Sequence, residues 1–385
     1  MQKKYWNRKL DVGKLAEEKS FFLFGPRGTG KSFLLRHELQ DCYVVHLLDS
    51  SLYYKLQAQP SELKSMILAS GKNLILIDEI QRIPELLNIV HLMMEEYSLR
   101  FILTGSSARK LKRGQANLLA GRAVSRELFP LCSLEIPQFQ LNRYLQFGGL
   151  PMSYMSTDPT DYLESYVNTY LREEIQAEGL VKKLPAFSQF LHMAATTSGE
   201  LLNFSSLSNE VGVSANSIRE YYSILEDTLV GFMVPAWGKS VRRKPIQTAK
   251  FYFFDIGVKN TLSQTLDFSP QSDLWGKAFE HFIAMELRAY ISYHLRNRLK
   301  LSYWRTTSQF EVDFIVGDRV AIEVKATNRL RQDSAKGLKA LQEEDLVEDY
   351  YLVSNDPTAK KQDGIHYLPW NQFLEKLWSG KIIKI

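Results

Sequence analysis

Phe21–Ser32 reads FFLFGPRGTGKS and is the most informative stretch for the fold of the first part of the chain. It contains the complete pattern GxxxxGK[ST], preceded by an apolar stretch typical of a buried strand and followed by a stretch typical of a helix. Glycines let the backbone pass close to a phosphate, and the N-terminus of a helix offers unpaired N–H groups to it. The stretch therefore predicts a phosphate-binding loop that binds ATP, or alternatively GTP, together with Mg²⁺.

Each residue of this loop has an expected role. Lys31 would reach the β- and γ-phosphates of the nucleotide, and the Ser32 hydroxyl would ligate Mg²⁺. The other loop residues would surround the phosphates, and they are Gly25, Pro26, Arg27, Gly28, Thr29 and Gly30.

A second part of the predicted nucleotide site follows a later apolar stretch. Leu74–Glu79 reads LILIDE, so a buried strand would end in two acids. Asp78 is expected to hold Mg²⁺ directly or through water, and Glu79 to act as the base that polarises an attacking water. These acids predict hydrolysis of the nucleotide as well as its binding.

Small hydroxyl residues and one arginine complete the predicted site. The next strand, RFILTGSS, is expected to end beside the γ-phosphate, with Ser106 as the candidate sensor and Thr104 or Ser107 as alternatives. Ordinary turn chemistry would also explain these hydroxyls. Arg122, in LLAGRA, is interpreted either as an arginine finger acting between subunits of a homo-oligomer or as one side of a surface salt bridge.

Composition limits the class of protein. With 385 residues the chain is expected to form two or three domains, and 45% hydrophobic with 24% charged residues is ordinary for a globular protein. No apolar run has the length of a membrane span or the form of a signal peptide. Cys42 and Cys132 form no metal-ligand spacing, so a cytoplasmic protein is expected.

The pattern along the chain predicts an α/β protein with three parts. Apolar runs at 21–24, 43–48, 73–77 and 100–103 alternate with helical segments, as in a parallel sheet. Helical patterns dominate between about residues 140 and 235, and strand patterns return from KFYFFD at Lys250 onward. The predicted domains are a P-loop ATPase domain at 1–140, a helical connector with a winged helix at 141–238, and a C-terminal α/β domain at 239–385.

Several stretches together resemble a widespread group of prokaryotic AAA-type ATPases with a conserved C-terminal region of uncharacterised function. The stretches, in chain order, are GPRGTGKS, LILIDEIQRIPELL, FILTGSSARKL, LLAGRAVSRELFPL, FGGLP, YLREEI, residues 203–229, KFYFFDIGV and EVDFIV with AIEVKA. The resemblance implies an ATPase core, a winged helix and a domain similar to PD-(D/E)XK nucleases. Gly28 departs from the family, whose members commonly carry Gln at this position.

Two strand patterns near the C-terminus carry the acids of the predicted nuclease-like site. In FEVDFIVGDRVAIEVKA, a two-residue turn would pair Asp313 with Ile322, whereas a three-residue loop would pair Asp313 with Glu323. The three-residue loop also gathers the apolar side chains on one face, so we expect Asp313, Glu323 and Lys325 to lie together. Two carboxylates that hold a second divalent ion and a lysine that positions water match the pattern D…ExK.

Two further acids are candidates for the nuclease-like site. Glu280, in GKAFEHFIAMEL, is the expected additional acid of the nuclease-like site, ahead of Glu286. The alternative is a solvated face of paired charges, and a nuclease-like domain can also persist as a module that only binds.

A nucleic-acid partner, with DNA preferred, is expected from two basic stretches and one helical pattern. Residues 237–250 and 288–305 combine aromatic and basic side chains without acids, although a solvated surface would have the same composition. Residues 205–229 resemble a helix-turn-helix, with Asn216, Ser217 and Arg219 facing outward. Acids on its second helix oppose DNA binding, so packing between domains is the competing interpretation.

Two functions follow from these predictions. The first is an Mg²⁺-dependent AAA-type ATPase coupled to a nuclease-like domain that acts on nucleic acid. The second is a switch ATPase whose C-terminal domain only binds DNA or protein.

Overall fold

Three β-sheets organise the chain in the computed structural model, which describes residues 5–106, 119, 121–171, 184–265, 269–270 and 272–383. A five-stranded sheet, a two-stranded sheet and a six-stranded sheet follow one another along the sequence. The strands are β1 (Ser20–Phe24), β2 (Tyr43–His46), β3 (Leu74–Asp78), β4 (Arg100–Gly105), β5 (Ala123–Glu127), β6 (Gly231–Val234), β7 (Lys250–Phe253), β8 (Leu301–Arg305), β9 (Glu311–Val316), β10 (Val320–Lys325), β11 (Asp349–Ser354), β12 (Lys360–Gln362) and β13 (Ile365–Pro369).

Helices connect and cover these sheets. The α-helices in the described residues are α1 (Val12–Glu18), α2 (Lys31–Glu38), α3 (Ser50–Ala58), α4 (Glu62–Ser70), α5 (Leu86–Tyr97), α6 (Leu141–Phe147), α7 (Pro151–Met155), α8 (Pro159–Ser165), α9 (Leu184–Thr196), α10 (Phe204–Val211), α11 (Ala215–Asp227), α12 (Ile256–Leu262), α13 (Asp273–Tyr293), α14 (Lys336–Gln342) and α15 (Trp370–Trp378). Short 3-10 turns occur at Ile80–Arg82 and Ser133–Glu135, and Tyr166–Leu171 is a π-helix.

The first sheet is parallel throughout, in the order β2-β3-β4-β1-β5. Alternate residues of its strands bury against helices on the two faces, as Phe22 and Phe24 do on one face and Phe21 and Leu23 on the other. Because the carboxyl ends of parallel strands meet at one edge, this topology brings the residues that follow β1, β3 and β4 together.

The four strands predicted for this sheet are confirmed, and a fifth was missed. β5 reads AVSRE, and its residues are half-buried or exposed at the edge of the sheet. Such a strand lacks the apolar run by which its neighbours are recognised, because only one side of it pairs.

The middle of the chain is helical as predicted. α10 and α11 are joined by a turn in which Gly212 has a left-handed backbone (φ 70°), and the Ser214 side chain caps α11 by accepting from the Ser217 N–H. Strands β6 and β7 pair antiparallel beside these helices.

The strand KFYFFD does not open the C-terminal sheet, which corrects one expectation. β7 pairs with β6, and Phe251 and Phe253 pack into the core that holds Tyr222. These aromatic side chains find their apolar partners on the helices of the middle segment. The boundary predicted at 238/239 therefore falls in the connection between two paired strands, and the domain limits stay predictions.

The C-terminal sheet has the order β12-β13-β11-β10-β9-β8 and packs one face on the long helix α13. Val316 pairs with Val320 and Phe314 with Ile322, so β9 and β10 are joined by a three-residue loop. The hydrophobic pattern correctly selected the three-residue loop. The apolar side chains do not all share one face as expected, because Val312 packs in a different core from Phe314 and Ile322.

None of the described helices combines the length and the apolar character required to cross a membrane. Cys42 and Cys132 are free thiols.

Candidate functional site

The phosphate-binding loop lies between β1 and α2, at the carboxyl edge of the parallel sheet. Gly28 and Gly30 have left-handed backbones with φ of 83° and 93°. At Gly28 a Cβ atom would also lie 3.1 Å from the Tyr162 hydroxyl, so the space above the loop is closed by the middle segment. Glycine at this position fits both the backbone conformation and the close approach.

Lys31 is buried in the first turn of α2, and its ammonium donates to the carbonyls of Gly25 (2.6 Å) and Pro26 (3.1 Å). These contacts hold the lysine inside the curve of the loop. A phosphate cradled by the loop would meet this charge together with the N-terminal N–H groups of α2.

Asp78 gathers three polar side chains at the end of β3. It is 1% exposed, its Oδ1 atom accepts from the Ser32 hydroxyl at 3.1 Å and from the Thr104 hydroxyl, and the His46 Nδ1 atom lies 3.0 Å from its Oδ2 atom. A hydroxyl and a carboxylate are hard oxygen ligands of the kind that Mg²⁺ prefers beside phosphates, so Ser32 and Asp78 fit this ion.

Thr104 also links the two acids. Its hydroxyl donates to Asp78 and accepts the backbone N–H of Glu79 at 3.1 Å. This fully buried threonine therefore orients the end of β3. If Thr104 acts as the sensor of the γ-phosphate, it would have to do so through Asp78. Ser106 lies further along the sheet edge, and Ser107 lies outside the described residues.

Glu79 has a left-handed backbone with φ 64° and ψ 45°. Its carboxylate accepts from the side-chain amide of Gln81, and the same amide nitrogen lies 3.3 Å from the Ser106 hydroxyl. Gln81 thus joins the predicted base to the predicted sensor. Sequence reasoning missed it, although an amide two residues after the acid pair was a usable signal.

Arg122 lies on the surface, where it forms an ion pair with Glu95. Both side chains are nearly half exposed, and such pairs contribute little to stability. This is the surface salt bridge that was one of the two interpretations. The arginine finger concerns a neighbouring subunit and stays a prediction.

A cavity of about 390 Å³ runs along the phosphate-binding loop. Gly28, Lys31 and Glu79 line its polar side. Its apolar side is formed by the N-terminal segment and α7, with Trp6, Met152 and Met155 among its members. An apolar compartment continuous with a phosphate site suits the flat base of a nucleotide.

Arg8 and Tyr166 tie this loop to other parts of the chain. Arg8 donates to the Thr29 carbonyl at 2.9 Å and pairs with the buried Glu135 at 3.0 Å. Tyr166 donates to the Arg27 carbonyl at 2.9 Å. Neither residue was predicted, because single residues distant in sequence carry no local signal of such a contact.

The C-terminal acids are brought together as the register requires, but each already has a protein partner. Asp313 accepts the Val324 N–H at 2.7 Å, and Glu323 pairs with Lys325. Glu280 accepts from the Tyr252 hydroxyl and lies 3.3 Å from the buried ammonium of Lys250. The same ammonium lies 2.8 Å from Glu311, so a lysine charge occupies the middle of this acidic group.

Burial raises the pKa of the carboxylates in this acidic group. Burial and the charge of Glu280 raise the pKa of Asp313 to about 7. Burial and the charge of Asp313 hold the pKa of Glu323 well above its usual range. No cluster of three or more His, Cys, Asp or Glu side chains in the described part of the chain is arranged to hold a metal ion. The second divalent ion therefore remains a prediction.

Glu286, the weaker candidate for the additional acid, is engaged elsewhere. It is 1% exposed and accepts the Ser133 N–H and the Trp378 indole N–H, both at 2.6 Å. Burial raises its pKa to about 7. It links the segment that follows the first sheet to the last helix of the chain.

Part of the basic stretches is paired or internal, whereas Arg242, Lys244, Arg296, Arg298 and Lys300 are exposed, so a nucleic-acid surface there stays a prediction. In residues 237–250, Lys239 pairs with Asp318, Arg243 pairs with Glu343 and Lys250 is buried. In residues 288–305, Arg288 lies against the rings of Phe129 and Phe232. On α11, Arg219 donates to Asn216 and covers the Phe204 ring.

Comparison with family models divides the chain into three parts. Residues 17–136 match the model described as AAA domain. Residues 138–271 and 275–373 match two domains of unknown function, DUF8612 and DUF4143. The first match supports an ATP-binding P-loop domain of the AAA type at residues 17–136, which include the sheet edge described above.

Curated relatives share most of the length of the chain. Uncharacterized proteins of Mycobacterium bovis and Mycobacterium tuberculosis are each 26% identical over 277 residues, which is 68% of this chain and 61% of theirs. The alignment thus spans under two-thirds of the mycobacterial proteins. An uncharacterized protein of Methanocaldococcus jannaschii is 24% identical over 377 residues, 87% of this chain and 82% of that protein.

Two solved structures are similar in part. A replication initiator DnaA bound to AMPPCP and single-stranded DNA has a TM-score of 0.31 and 12% identity, over 56% of this chain and 86% of that chain. A structure of two Pif1 helicases at forked DNA has a TM-score of 0.24 and 16% identity, over 47% and 59% of the two chains.

Proposed function

We propose that the chain hydrolyses ATP with Mg²⁺ and passes its nucleotide state to a C-terminal domain that acts on nucleic acid. One observation supports the ATPase part above all others. Lys31, Ser32, Asp78 and Glu79 meet at the carboxyl edge of one parallel sheet, where the loop can hold phosphates. Each of these groups has a role that phosphoryl transfer needs.

The residues divide the work of hydrolysis. Lys31 meets the charge that develops on the β- and γ-phosphates, and Ser32 with Asp78 would hold the Mg²⁺, which supplies charge neutralisation at the phosphates. Glu79 accepts a proton from the attacking water, while Gln81 keeps its carboxylate beside Ser106. Trp6, Met152 and Met155 would contact the base of the nucleotide.

The middle segment can sense the nucleotide through two contacts. Tyr166 holds the Arg27 carbonyl of the loop. Asp255 accepts the N–H groups of Gly149 and Leu150, directly before the helix that carries Met152 and Met155. A change in the loop would therefore be transmitted to the segment on which the C-terminal domain rests.

Two substitutions test the ATPase. Lys31→Ala should abolish hydrolysis and strongly weaken ATP binding, because the loop loses its phosphate-facing charge. Glu79→Gln should keep ATP bound while turnover falls by roughly two orders of magnitude or more, because it removes the base and preserves the shape. The measurements are phosphate release and ATP affinity. Near-normal turnover in either variant would contradict the proposal.

For the C-terminal domain, we propose a nuclease-like site at Asp313, Glu323 and Lys325 with Glu280 nearby. The three-residue loop between β9 and β10 supports it, and the charges of Asp313 and Lys325 both act on Glu323. A second candidate function, a module that binds without cutting, is favoured by the position of Lys250. Its ammonium between Glu280 and Glu311 supplies positive charge to the acids without a metal ion.

A cleavage assay decides between these two functions. Plasmid and single-stranded DNA are incubated with Mg²⁺ or Mn²⁺, with and without ATP, and the products are separated by size. A nuclease should lose cleavage in Asp313→Ala and keep ATP hydrolysis, because the acids lie outside the AAA domain. The exposed Asp363→Ala is the matched control. Binding of DNA without any cleavage would leave the binding module.

A further inference from the structure

A second cavity, of about 400 Å³, lies between the C-terminal sheet and α6. Strands β10, β11 and β13 are parallel to one another, and the cavity is lined by residues that directly follow their carboxyl ends, namely Ala326, Asn355 and Trp370. Crevices outside the carboxyl ends of parallel strands are common ligand sites. α6 contributes Asn142 to the other side of this cavity.

The polar groups of the cavity are amides and an indole. Asn142, Asn328 and Asn355 line it, and their side chains form no hydrogen bond to another group in the described part of the chain. Trp275 also lines it, is 5% exposed, and its buried indole N–H has no partner among the described residues.

None of the residues that line the cavity is charged. A phosphate, a carboxylate or an ammonium group would therefore find no opposite charge inside it. Each amide offers both a donor and an acceptor, which suits a ligand whose edge alternates donors and acceptors.

Trp370 supplies a fixed aromatic surface. It is half-buried, and its ring lies 5.7 Å from Phe139 and 5.9 Å from Phe282, measured between ring centroids. A ring held by two neighbours loses little freedom when a flat ligand stacks on it. We propose that this cavity binds one unpaired nucleobase, which stacks on the tryptophan and hydrogen-bonds to the amides.

The adjoining loop indicates where that base comes from. Arg329 directly follows Asn328, and Arg331 lies two residues further; both are exposed, and neither forms an ion pair within the described residues. Their charges suit the phosphates on either side of a splayed base. A base in a single strand is therefore the expected ligand, and a free nucleotide is the other source of the same chemistry. The preference for single-stranded nucleic acid over a free nucleotide as the ligand rests on the proposed nucleic-acid function.

The test measures fluorescence polarisation of labelled single-stranded oligonucleotides of each base, and of a duplex, on the full chain with divalent ions chelated. Trp370→Leu keeps an apolar side chain against its neighbours but removes the stacking surface, so single-strand affinity should fall roughly tenfold. Trp370→Phe should restore most of it. Asn328→Ala should alter the preference among bases, and Arg329→Ala should weaken all sequences and reduce the salt dependence.

Matched controls are Tyr54→Leu and Asn88→Ala, which remove an exposed aromatic and an exposed amide from the AAA domain. Both should bind within twofold of the wild type. Thermal unfolding verifies that each variant is folded. Single-strand affinity that is unchanged in Trp370→Leu would overturn the proposal while leaving the nucleic-acid function in place.

Free nucleosides provide the second arm, read by quenching of indole fluorescence. If nucleosides quench and the quenching is lost in Trp370→Leu, while no oligonucleotide binds, the cavity takes a free nucleotide and the nucleic-acid function falls. If neither oligonucleotides nor nucleosides bind the wild type, the base-binding cavity is overturned.

Discussion

At the scale of single residues, the nucleotide site depends on side chains that hold other side chains. Thr104 and His46 contact Asp78, and Gln81 contacts both Glu79 and Ser106. The left-handed backbone of Glu79 is uncommon for a residue with a side chain, and it persists because these contacts fix it. The acid pair is thus oriented by neighbours whose identity matters as much as its own.

Gln81 provides a prediction at this scale. Gln81→Ala should lower kcat roughly tenfold and leave KM for ATP nearly unchanged, because the base loses its orientation while Lys31 still holds the phosphates. Gln81→Glu should lower kcat further, since a second carboxylate would repel Glu79.

Steady-state ATPase kinetics measure both parameters. Gln40→Ala, which removes an exposed amide of the same domain, should be without effect. Equal changes in kcat and KM would point to a general disturbance of the fold and would contradict a positioning role.

At the scale of elements, the phosphate-binding loop is shared between two parts of the chain. β1 and α2 supply its backbone, while the segment from α7 to Tyr166 lies over it. Near Gly30, the Pro151 side chain would be 3.9 Å from an added Cβ atom, so α7 approaches the loop closely. Residues of the AAA domain and of the domain of unknown function that follows it therefore line one cavity beside the phosphate-binding loop.

This shared pocket predicts the behaviour of Tyr166→Phe. The variant keeps the ring but loses the hydrogen bond to the Arg27 carbonyl, which is worth about 1 kcal/mol. ATP hydrolysis should stay within a few-fold of the wild type. The protection of α10 and α11 against hydrogen exchange, which we expect a bound ATP analogue to increase, should respond much less.

Hydrogen exchange with mass spectrometry, with and without the analogue, measures this coupling. Tyr54→Phe is the control, because that side chain is exposed on α3. A response in Tyr166→Phe equal to that of the wild type would show that the signal takes another route.

At the scale of the whole molecule, buried carboxylates join distant parts of the chain. Glu286 on α13 accepts from Ser133 near the end of the AAA domain and from Trp378 on the last helix. The Glu135 carboxylate forms an ion pair with Arg8 and accepts the backbone N–H of Lys9, both in the N-terminal segment. The hydrogen bonds of such acids are directional, so they fix the relative position of segments more specifically than apolar packing alone.

Glu286 makes stability depend on pH. Its pKa is raised to about 7 in the folded protein from an ordinary value near 4.5, so the folded state binds the proton more tightly than the unfolded state. The contribution of Glu286 to the free energy of unfolding is largest below about pH 4.5. It declines as the pH rises to about 7 and is constant above that pH. The full loss is about 3 kcal/mol at most, at 1.36 kcal/mol for each pKa unit.

Glu286→Gln removes this titration and keeps an acceptor oxygen. The midpoint of thermal unfolding of the C-terminal part should fall between pH 5 and pH 8 in the wild type, and the variant should show a flatter profile. The exposed Glu348→Gln is the control. A variant profile as steep as that of the wild type would assign the pH dependence to other groups.

The sequence alone determined the parts of this protein that depend on local pattern. The loop from Gly25 to Ser32, the strand ending in Asp78, and the three-residue loop between β9 and β10 were all predicted, because each follows from spacing or alternation within a short stretch. The sheet of the AAA domain was predicted for the same reason, except for its polar edge strand β5.

Contacts between residues that are distant in sequence are seen in the tertiary structure and could not be predicted. The tether of Gln81 to Ser106, the contact of Tyr166 with the loop and the burial of Lys250 among acids join residues far apart in the chain or on different elements. Local sequence patterns do not predict such contacts. Hydrophobic burial determines how whole elements pack, and buried polar side chains then form hydrogen bonds with the groups that lie nearby.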